Sequence, residues 1–324
     1  MKVAIVGLGH VAQHQIDAIQ QLTGIVDLVG AYDTDAGVIH RRAIPCHFHS
    51  SMDDLIEHTP ADVVIVSTSN SDHFATTAKL LRAGRPVMVE KPICENRKDL
   101  NELLALARAA NIFFHAALHA AFARDLLWWL ENRQSLTQRF GPIERFHMDF
   151  FDSYIENNGS LSKSARGLGG SWYDSGINAL SVLACLADPA SIKLLGAQMH
   201  LSPRILREQI SGSAMFACQA GGGTCTGQIN TNWVLGLDQK TTSLSCKRAK
   251  ILLDHSSEQV VIQEDRQQPE IISLRNGLPR LTNHYVGVFR DLESSFARQE
   301  DNSGLAAQLH ALLFDAVDAA NGKP

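Results

Sequence analysis

The sequence predicts an α/β part followed by an α+β part: a doubly wound parallel sheet over residues 1–120, then residues 121–324 with a mostly antiparallel open sheet. Three observations carry this. Short apolar, β-branched runs alternate with helically spaced segments through the first third. A glycine turn joins the first run to the first helix. Beyond about residue 120 the runs follow one another with little helix between them.

Lys2–Val6 reads as the first strand, and His10–Leu22 as a helix with Val11, Ile16, Ile19 and Leu22 on one face. Val26–Tyr32 is the second strand. Thr34–Ala43 reads as a short helix and Cys46–Phe48 as a short strand. Ser51 suits the N-cap of a helix over Met52–His58, with Asp53 and Asp54 favourable in its first turn. Asp62–Thr68 is unbroken and apolar, as a strand covered on both faces must be. Ser71–Ala83 is a helix closed by Gly84, Pro86–Glu90 a strand, Arg97–Ala110 a helix and Ile112–Ala117 a strand.

In the second part Ala121–Asn132 and Ser171–Leu186 read as helices. The strand candidates are Ile143–Phe151, Ile192–Leu201, Ser213–Gln219, Thr224–Trp233, Thr241–Cys246, Ile251–Asp254, Gln259–Gln263 and Glu270–Ser273. Helices over His284–Arg298 and Leu305–Ala320 follow. Asn157–Gly170, rich in Gly and Ser, reads as a loop within this part.

Composition excludes several functions. Lys plus Arg number 29 against 34 Asp plus Glu, a formal charge of −5, with no basic run to hold nucleic acid. No stretch reaches the ~20 apolar residues of a membrane helix. The first apolar run is broken by Gly7 and Gly9, unlike a signal peptide, so a cytosolic location is expected. The six cysteines are scattered, which suits free thiols rather than disulfides or a metal centre.

Gly7-Leu8-Gly9-His10-Val11-Ala12 is G-x-G-x-x-A between a strand and a helix. Gly7 permits a tight turn, Gly9 lets backbone approach a pyrophosphate, and Ala12 lets the helix lie close to the sheet. The helix start then offers free N–H groups and a positive dipole end to the phosphates. Asp33 follows Ala12 by 21 residues, near the spacing of about 20 for an acid that accepts ribose hydroxyls. A carboxylate there repels a 2′-phosphate, so NAD is favoured over NADP; the competing role for Asp33 is capping the next helix. Lys91, in Glu90-Lys91-Pro92 at a strand end, is a candidate proton-transfer group. Partial burial beside an oxidised, cationic ring would favour its neutral amine.

These motifs, with Ser67-Thr68-Ser69-Asn70 and His73, resemble the Gfo/Idh/MocA oxidoreductases. The resemblance implies a Rossmann domain, a second open-sheet domain and NAD(P)-dependent chemistry on sugars or polyols. It implies that Gly7, Gly9, His10, Val11, Ala12, Asp33, Ser67, Thr68, Asn70, His73, Glu90 and Lys91 bind the cofactor, and that Lys91 is catalytic. Ser69 stands where the family usually has proline.

Gly169 and Gly170 precede a helix carrying Asp174 and Asn178, four residues apart and so on one face. By themselves both residues would read as helix capping. The family commonly has Asp and His there; Asn178 can orient a hydroxyl or carbonyl but cannot transfer a proton. The stretch Asp174–Ser181 is similar to the branch holding galactose and arabinose 1-dehydrogenases, in which both positions belong to the active site. By the same resemblance His119, Asp152 and Asn158 contact substrate; Tyr173, with Trp172, reads either as lining a sugar face beside Asp174 or as packing a short helix start against the core. The branch's flanking motifs are only partly present, so a sugar-like substrate is implied but neither aldose follows.

The pairs His10/His14 and His115/His119 and the run Cys46-His47-Phe48-His49 have neither a nearby carboxylate nor a closed ligand set, so no metal is expected. The apolar outer face of the second sheet is expected to pair with another copy, giving a homodimer or homotetramer. The expected function is hydride transfer between nicotinamide and a sugar-like alcohol, first of all at an anomeric carbon. The alternative is an NAD(P)-binding regulator with weak or no catalysis, since Asn178 replaces a second acid–base group. Imine or linear-tetrapyrrole reduction on the same fold stays open.

Overall fold

The computed structural model describes residues 1–41, 44–156, 158–163, 165–201 and 209–322. Its contacts divide the chain into two compact units. One holds Met1–His119 with Leu281–Ala307, the other Ala120–Arg280 with Gln308–Pro324.

The first unit alternates strand and helix: β1 (Lys2–Val6), α1 (His10–Gln20), β2 (Asp27–Tyr32), α2 (Val38–Arg41), β3 (His47–Phe48), α3 (Met52–His58), β4 (Val63–Val66), α4 (Asn70–Arg82), β5 (Val87–Glu90), α5 (Arg97–Ala110) and β6 (Phe114–Ala117). The strands are parallel in the order β3-β2-β1-β4-β5-β6. That is the doubly wound dinucleotide-binding order, whose topological switch lies between β1 and β4. Every residue of β4, β5 and β6 is buried, which explains their uninterrupted apolar character. Local signals bound the helices, Ser51 and Gly84 as expected and Asn96 in addition. Ser51 Oγ accepts the Asp54 N–H at 3.0 Å, and Asn96 accepts that of Asp99 at 2.9 Å. Gly84, at φ +75°, follows α4. The short helix expected over Thr34–Ala43 contracts to α2, and residues 42 and 43 lie outside the described residues.

The helix α8 (Arg280–Arg298) departs from the single division expected near residue 120. All but its first residue belongs to the first unit. It buries Tyr285, Val288, Phe289 and Leu292 there. The segment after it completes the edge strand β6. Asp301 accepts the Phe114 N–H at 3.2 Å and Asn302 the Ala116 N–H at 2.7 Å. Side chains thus take the place of a missing neighbouring strand.

The second unit contains α6 (Arg124–Phe140), β7 (Ile143–Phe151), α7 (Ile177–Leu186), β8 (Lys193–Leu201), β9 (Gln209–Ala220), β10 (Gly223–Asn232), β11 (Gln239–Cys246), β12 (Ala249–Asp254), β13 (Gln259–Glu264) and β14 (Glu270–Ser273). The last helix, α9 (Ser303–Ala320), runs from the first unit into the second. The sheet order is β14-β13-β12-β11-β7-β10-β9-β8. Among the described residues only β7 and β10 pair in parallel. This is the expected fold class: a parallel Rossmann sheet and a mostly antiparallel open sheet.

Two elements differ from expectation. Helix α6 continues to Phe140 rather than Asn132, because Leu136 and Phe140 extend its buried stripe; Gly141 at φ +89° ends it. The helix expected over Ser171–Leu186 opens with a π-helical turn, Trp172–Gly176. There a Cβ on Gly176 would lie 2.9 Å from the buried Trp172 ring, so glycine makes room for that ring. The loop before it carries a small core of Leu161, Ala165 and Trp233, flanked by Tyr154, Ile155 and Leu168. On the sheet, Leu195 and Leu201 are each 58% exposed and Met215 is 51% exposed. No helix among the described residues is long and apolar enough to cross a membrane.

Candidate active site

The switch point of the first sheet builds a cradle from main chain. Gly7 sits at φ +92°, and a Cβ there would lie 2.6 Å from the Ser67 carbonyl and the Thr68 nitrogen. A side chain at this position would therefore push the ends of β1 and β4 apart. Gly9 is different: a Cβ on it meets no protein atom within 4 Å. Its lack of a side chain answers to no packing need, and it leaves the start of α1 open to an approaching group. Ala12 is fully buried, as close packing of α1 requires. His10 is exposed, with its ring 5.4 Å from that of His14, and Val11 is half-buried.

Asp33 follows β2 and holds this turn from the side. Its Oδ2 accepts the Leu8 N–H at 2.6 Å and its Oδ1 accepts the Asp35 N–H at 2.8 Å. It stabilises the glycine turn, and α2 begins only at Val38, so the helix-capping alternative does not describe it. Beside the turn, the Ser67 and Thr68 hydroxyl oxygens are buried without a hydrogen-bond partner. Glycine space, helix start and unpartnered hydroxyls fit a dinucleotide. Asn70 is the first residue of α4.

Two residues expected to face the cofactor are occupied within the protein. His73 is fully buried; its Nδ1 lies 2.7 Å from the Pro92 carbonyl and its Nε2 3.1 Å from that of Thr68. Burial holds the ring below the ordinary imidazole pKa, which favours the neutral form with one N–H, directed by the shorter contact to Pro92. His73 thereby joins the loop after β4 to the residue following Lys91. Glu90 turns its carboxylate inward. Oε1 accepts from Gln15 Nε2 at 2.8 Å and from the Tyr285 hydroxyl at 2.6 Å, and Oε2 accepts the Lys91 N–H at 3.2 Å. Burial raises the pKa of this carboxyl and pushes that of Tyr285 far up. The half-buried Lys91 therefore leaves a strand end clamped from three directions. His119 lies in the same unit, with Nδ1 3.2 Å from His284 Nδ1 and its ring 5.6 Å from that of Tyr285.

In the second unit, Gly169 and Gly170 take φ +79° and +105°, and the π-helical turn follows. Asp174 is buried in that turn, and Asn178 lies one turn on. Asn178 Nδ2 donates to the Asp174 carbonyl at 3.2 Å, while its Oδ1 is buried without a hydrogen-bond partner. Neither acts as a side-chain cap of its helix. A π turn of this kind often marks a functional site. Tyr173 is half-buried, its ring 6.2 Å from Phe314.

The remaining two expected substrate contacts have different surroundings. Asp152 Oδ1 pairs with Lys240 Nζ at 2.7 Å, and its Oδ2 accepts from the Ser175 hydroxyl at 2.6 Å. It fixes β11 and the π turn to the end of β7. Asn158 is exposed in a turn, its Oδ1 accepting the Ser160 N–H at 2.8 Å. Sequence reasoning missed Lys240, Tyr285 and Tyr154. Tyr154 packs edge-on against Trp233 at 5.3 Å. Burial, with Asp174, Asp152 and Asp238 nearby, pushes its phenol well above the ordinary range, so it stays a hydrogen-bond donor. Nothing in their local sequence marks these residues; each acquires its partners through strand or helix pairing.

Residues 1–117 match the model of the oxidoreductase family with an NAD-binding Rossmann fold, the Gfo/Idh/MocA group. YceM of Salmonella typhimurium is 31% identical over 168 residues, 48% of this chain and 53% of YceM. The chain thus spans about half the length of the curated relatives it matches first. Two solved structures share the fold. An oxidoreductase from Agrobacterium radiobacter in complex with NAD+, L-tartaric acid and magnesium has a TM-score of 0.80 at 15% identity, covering 100% of this chain and 97% of that one. Levoglucosan dehydrogenase in complex with NADH and levoglucosan has a TM-score of 0.83 at 13% identity, covering 100% and 98%. The family match falls on the unit that carries the glycine turn and Lys91, and supports the Gfo/Idh/MocA resemblance.

Proposed function

We propose that the protein is an NAD(P)-dependent oxidoreductase acting on a CH–OH group of a sugar or sugar-like alcohol. The observation that carries this is the main-chain cradle at Gly7, Gly9 and Ser67 with Lys91 at the end of the next strand but one in the sheet. The nicotinamide cofactor, when bound, would take or return the hydride. Gly7, Gly9, His10, Val11 and Ala12 would hold the pyrophosphate through main-chain N–H groups, and Ser67, Thr68 and Asn70 would line the same cradle. Glu90 and His73 would position Lys91 rather than touch the cofactor. The Lys91 amine would take the hydroxyl proton as the hydride leaves carbon, and give it back in the reverse direction. Asp174 and Asn178 would orient the substrate, with His119, Tyr173 and Tyr154 as further hydrogen-bonding or stacking groups. Oxidation at an anomeric carbon, as in the aldose 1-dehydrogenase branch, is the first substrate reading. Asp33 supports NAD over NADP, because a carboxylate accepts ribose hydroxyls and repels a 2′-phosphate. The exposed Leu195, Leu201 and Met215 support pairing of two copies through the second sheet, which light scattering would test.

The test is a panel of aldoses and polyols with NAD and with NADP, followed by reduced-cofactor absorbance. Turnover with NAD on at least one sugar-like alcohol is expected. NAD binding without turnover on any of them would favour the regulatory reading, which rests on Asn178 standing where a proton-transferring residue is common.

A further inference from the structure

The run Cys46–His49 has no carboxylate beside it in the sequence, but folding supplies one. His47 lies on β3, the edge strand of the first sheet, and His49 immediately follows it. Their rings are 4.5 Å apart and nearly perpendicular. Asp54, in the first turn of α3, brings its Oδ2 to 3.3 Å from His49 Nδ1. One atom each from His47, His49 and Asp54 all lie within 4.8 Å of one another.

His49 is held from both sides. It is 3% exposed, and its Nδ1 lies 3.3 Å from the Asp54 carboxylate. Its other nitrogen, Nε2, is 2.7 Å from the buried Thr59 hydroxyl. When Thr59 accepts the Nε2 proton, the Nδ1 lone pair points toward a carboxylate oxygen, and two acceptors face each other. A cation between them relieves that opposition. Gly30 belongs to the arrangement: a Cβ on it would lie 2.9 Å from Thr59 Cγ2 and 3.2 Å from His49 Nε2. The carboxylate is also oriented. Oδ2 accepts from Ser50 N and Oγ, both at 3.2 Å, and Oδ1 lies 3.0 Å from Nδ1 of the exposed His58.

We propose that His47, His49 and Asp54 bind a divalent transition metal of the zinc class, with water completing a four-coordinate site. Two imidazoles and one carboxylate suit such an ion better than magnesium or calcium, which prefer all-oxygen sets. Metal–ligand bonds of about 2.0–2.2 Å require the donor atoms to close to roughly 3.4 Å, and His47, exposed, is free to swing inward. Thr59 has the place of an outer partner that fixes the tautomer and aim of a ligating histidine. The ion would tie the two-residue edge strand β3 to the first turn of α3, so its role is to stabilise this corner of the unit.

The test uses untagged protein stripped by a chelator and titrated with zinc chloride in a calorimeter, with thermal melts alongside. Wild type is expected to bind one zinc per chain and to melt higher with it. His47→Ala and Asp54→Asn are expected to weaken binding more than tenfold and to lose the zinc-dependent melting shift, while their metal-free circular dichroism matches wild type. His14→Ala, at a separate close histidine pair, is expected to bind like wild type. Undiminished zinc binding in both His47→Ala and Asp54→Asn, loss of binding in His14→Ala, or no zinc uptake by wild type would overturn the proposal.

Discussion

In the first unit the candidate cofactor site is made chiefly of main chain: the Gly7 turn against Ser67, the start of α1, and the space left at Gly9. Two titratable side chains nearby are engaged within the protein, Glu90 on Gln15 and Tyr285 and His73 on two carbonyls, while Asp33 braces the turn itself through Leu8 and Asp35. In the second unit the candidate substrate site is made of side chains on a π turn, with Asp174 buried and Asn178 Oδ1 lacking a hydrogen-bond partner. The difference teaches that a main-chain site is specified by short motifs, whereas a side-chain site depends on partners brought in from remote strands. One is a property of a turn and the other of a tertiary arrangement.

Lys240→Met should give the largest stability change and break the second region. It removes the cation from a pair whose side chains are only 11% and 14% exposed, leaving Asp152 without its counter-charge. A loss of about 3–5 kcal/mol is expected in urea unfolding, and a change below ~1 kcal/mol would show that Asp152 needs no such partner.

Tyr285→Phe comes next and probes the clamp behind Lys91. It withdraws a donor from the buried Glu90, with an expected cost of about 1–3 kcal/mol at neutral pH. The sign of its pH dependence follows from linkage. Glu90 has a folded pKa raised above its ordinary 4.5, so its contribution is fully present below that value and is lost as pH rises through the folded pKa. Losing the hydroxyl donor raises that pKa further. The difference between variant and wild type should therefore grow as pH rises through the raised folded pKa of Glu90 and fade below it. Unfolding at pH 4 and pH 8 decides this; a pH-independent difference would remove Glu90 from the explanation.

Gly9→Ala should have the smallest effect on stability and sharpens the main-chain half of the comparison. The added Cβ meets no protein atom within 4 Å, and Gly9 has an extended conformation open to any residue, so stability should change by no more than about 0.5 kcal/mol. NAD affinity should nevertheless fall tenfold or more in calorimetric titration. Unchanged affinity would mean that the glycine serves no cofactor there.

The Rossmann half was legible almost element by element, because β1, β4 and β5 are buried on both faces and helices begin or end at readable residues such as Ser51 and Gly84. Less legible was the return of α8 to the first unit, since Tyr285 finds Glu90 across 195 positions of sequence. The roles given to Glu90 and His73 followed family position; the fold turned both toward protein partners. Asn158 and Asp152 show the same limit, one held in a local turn and the other committed to Lys240 and Ser175. The π turn was unreadable because a helical face is inferred at a fixed period, and Trp172 against Gly176 changes that period locally.

The most direct test is turnover by Lys91→Ala at saturating NAD and sugar-like alcohol, with NAD binding measured on the same sample. The account predicts a fall of about 10²–10⁴-fold in kcat with NAD affinity nearly unchanged, as expected when a proton-transfer group is removed from an intact cradle. Turnover equal to wild type would contradict it.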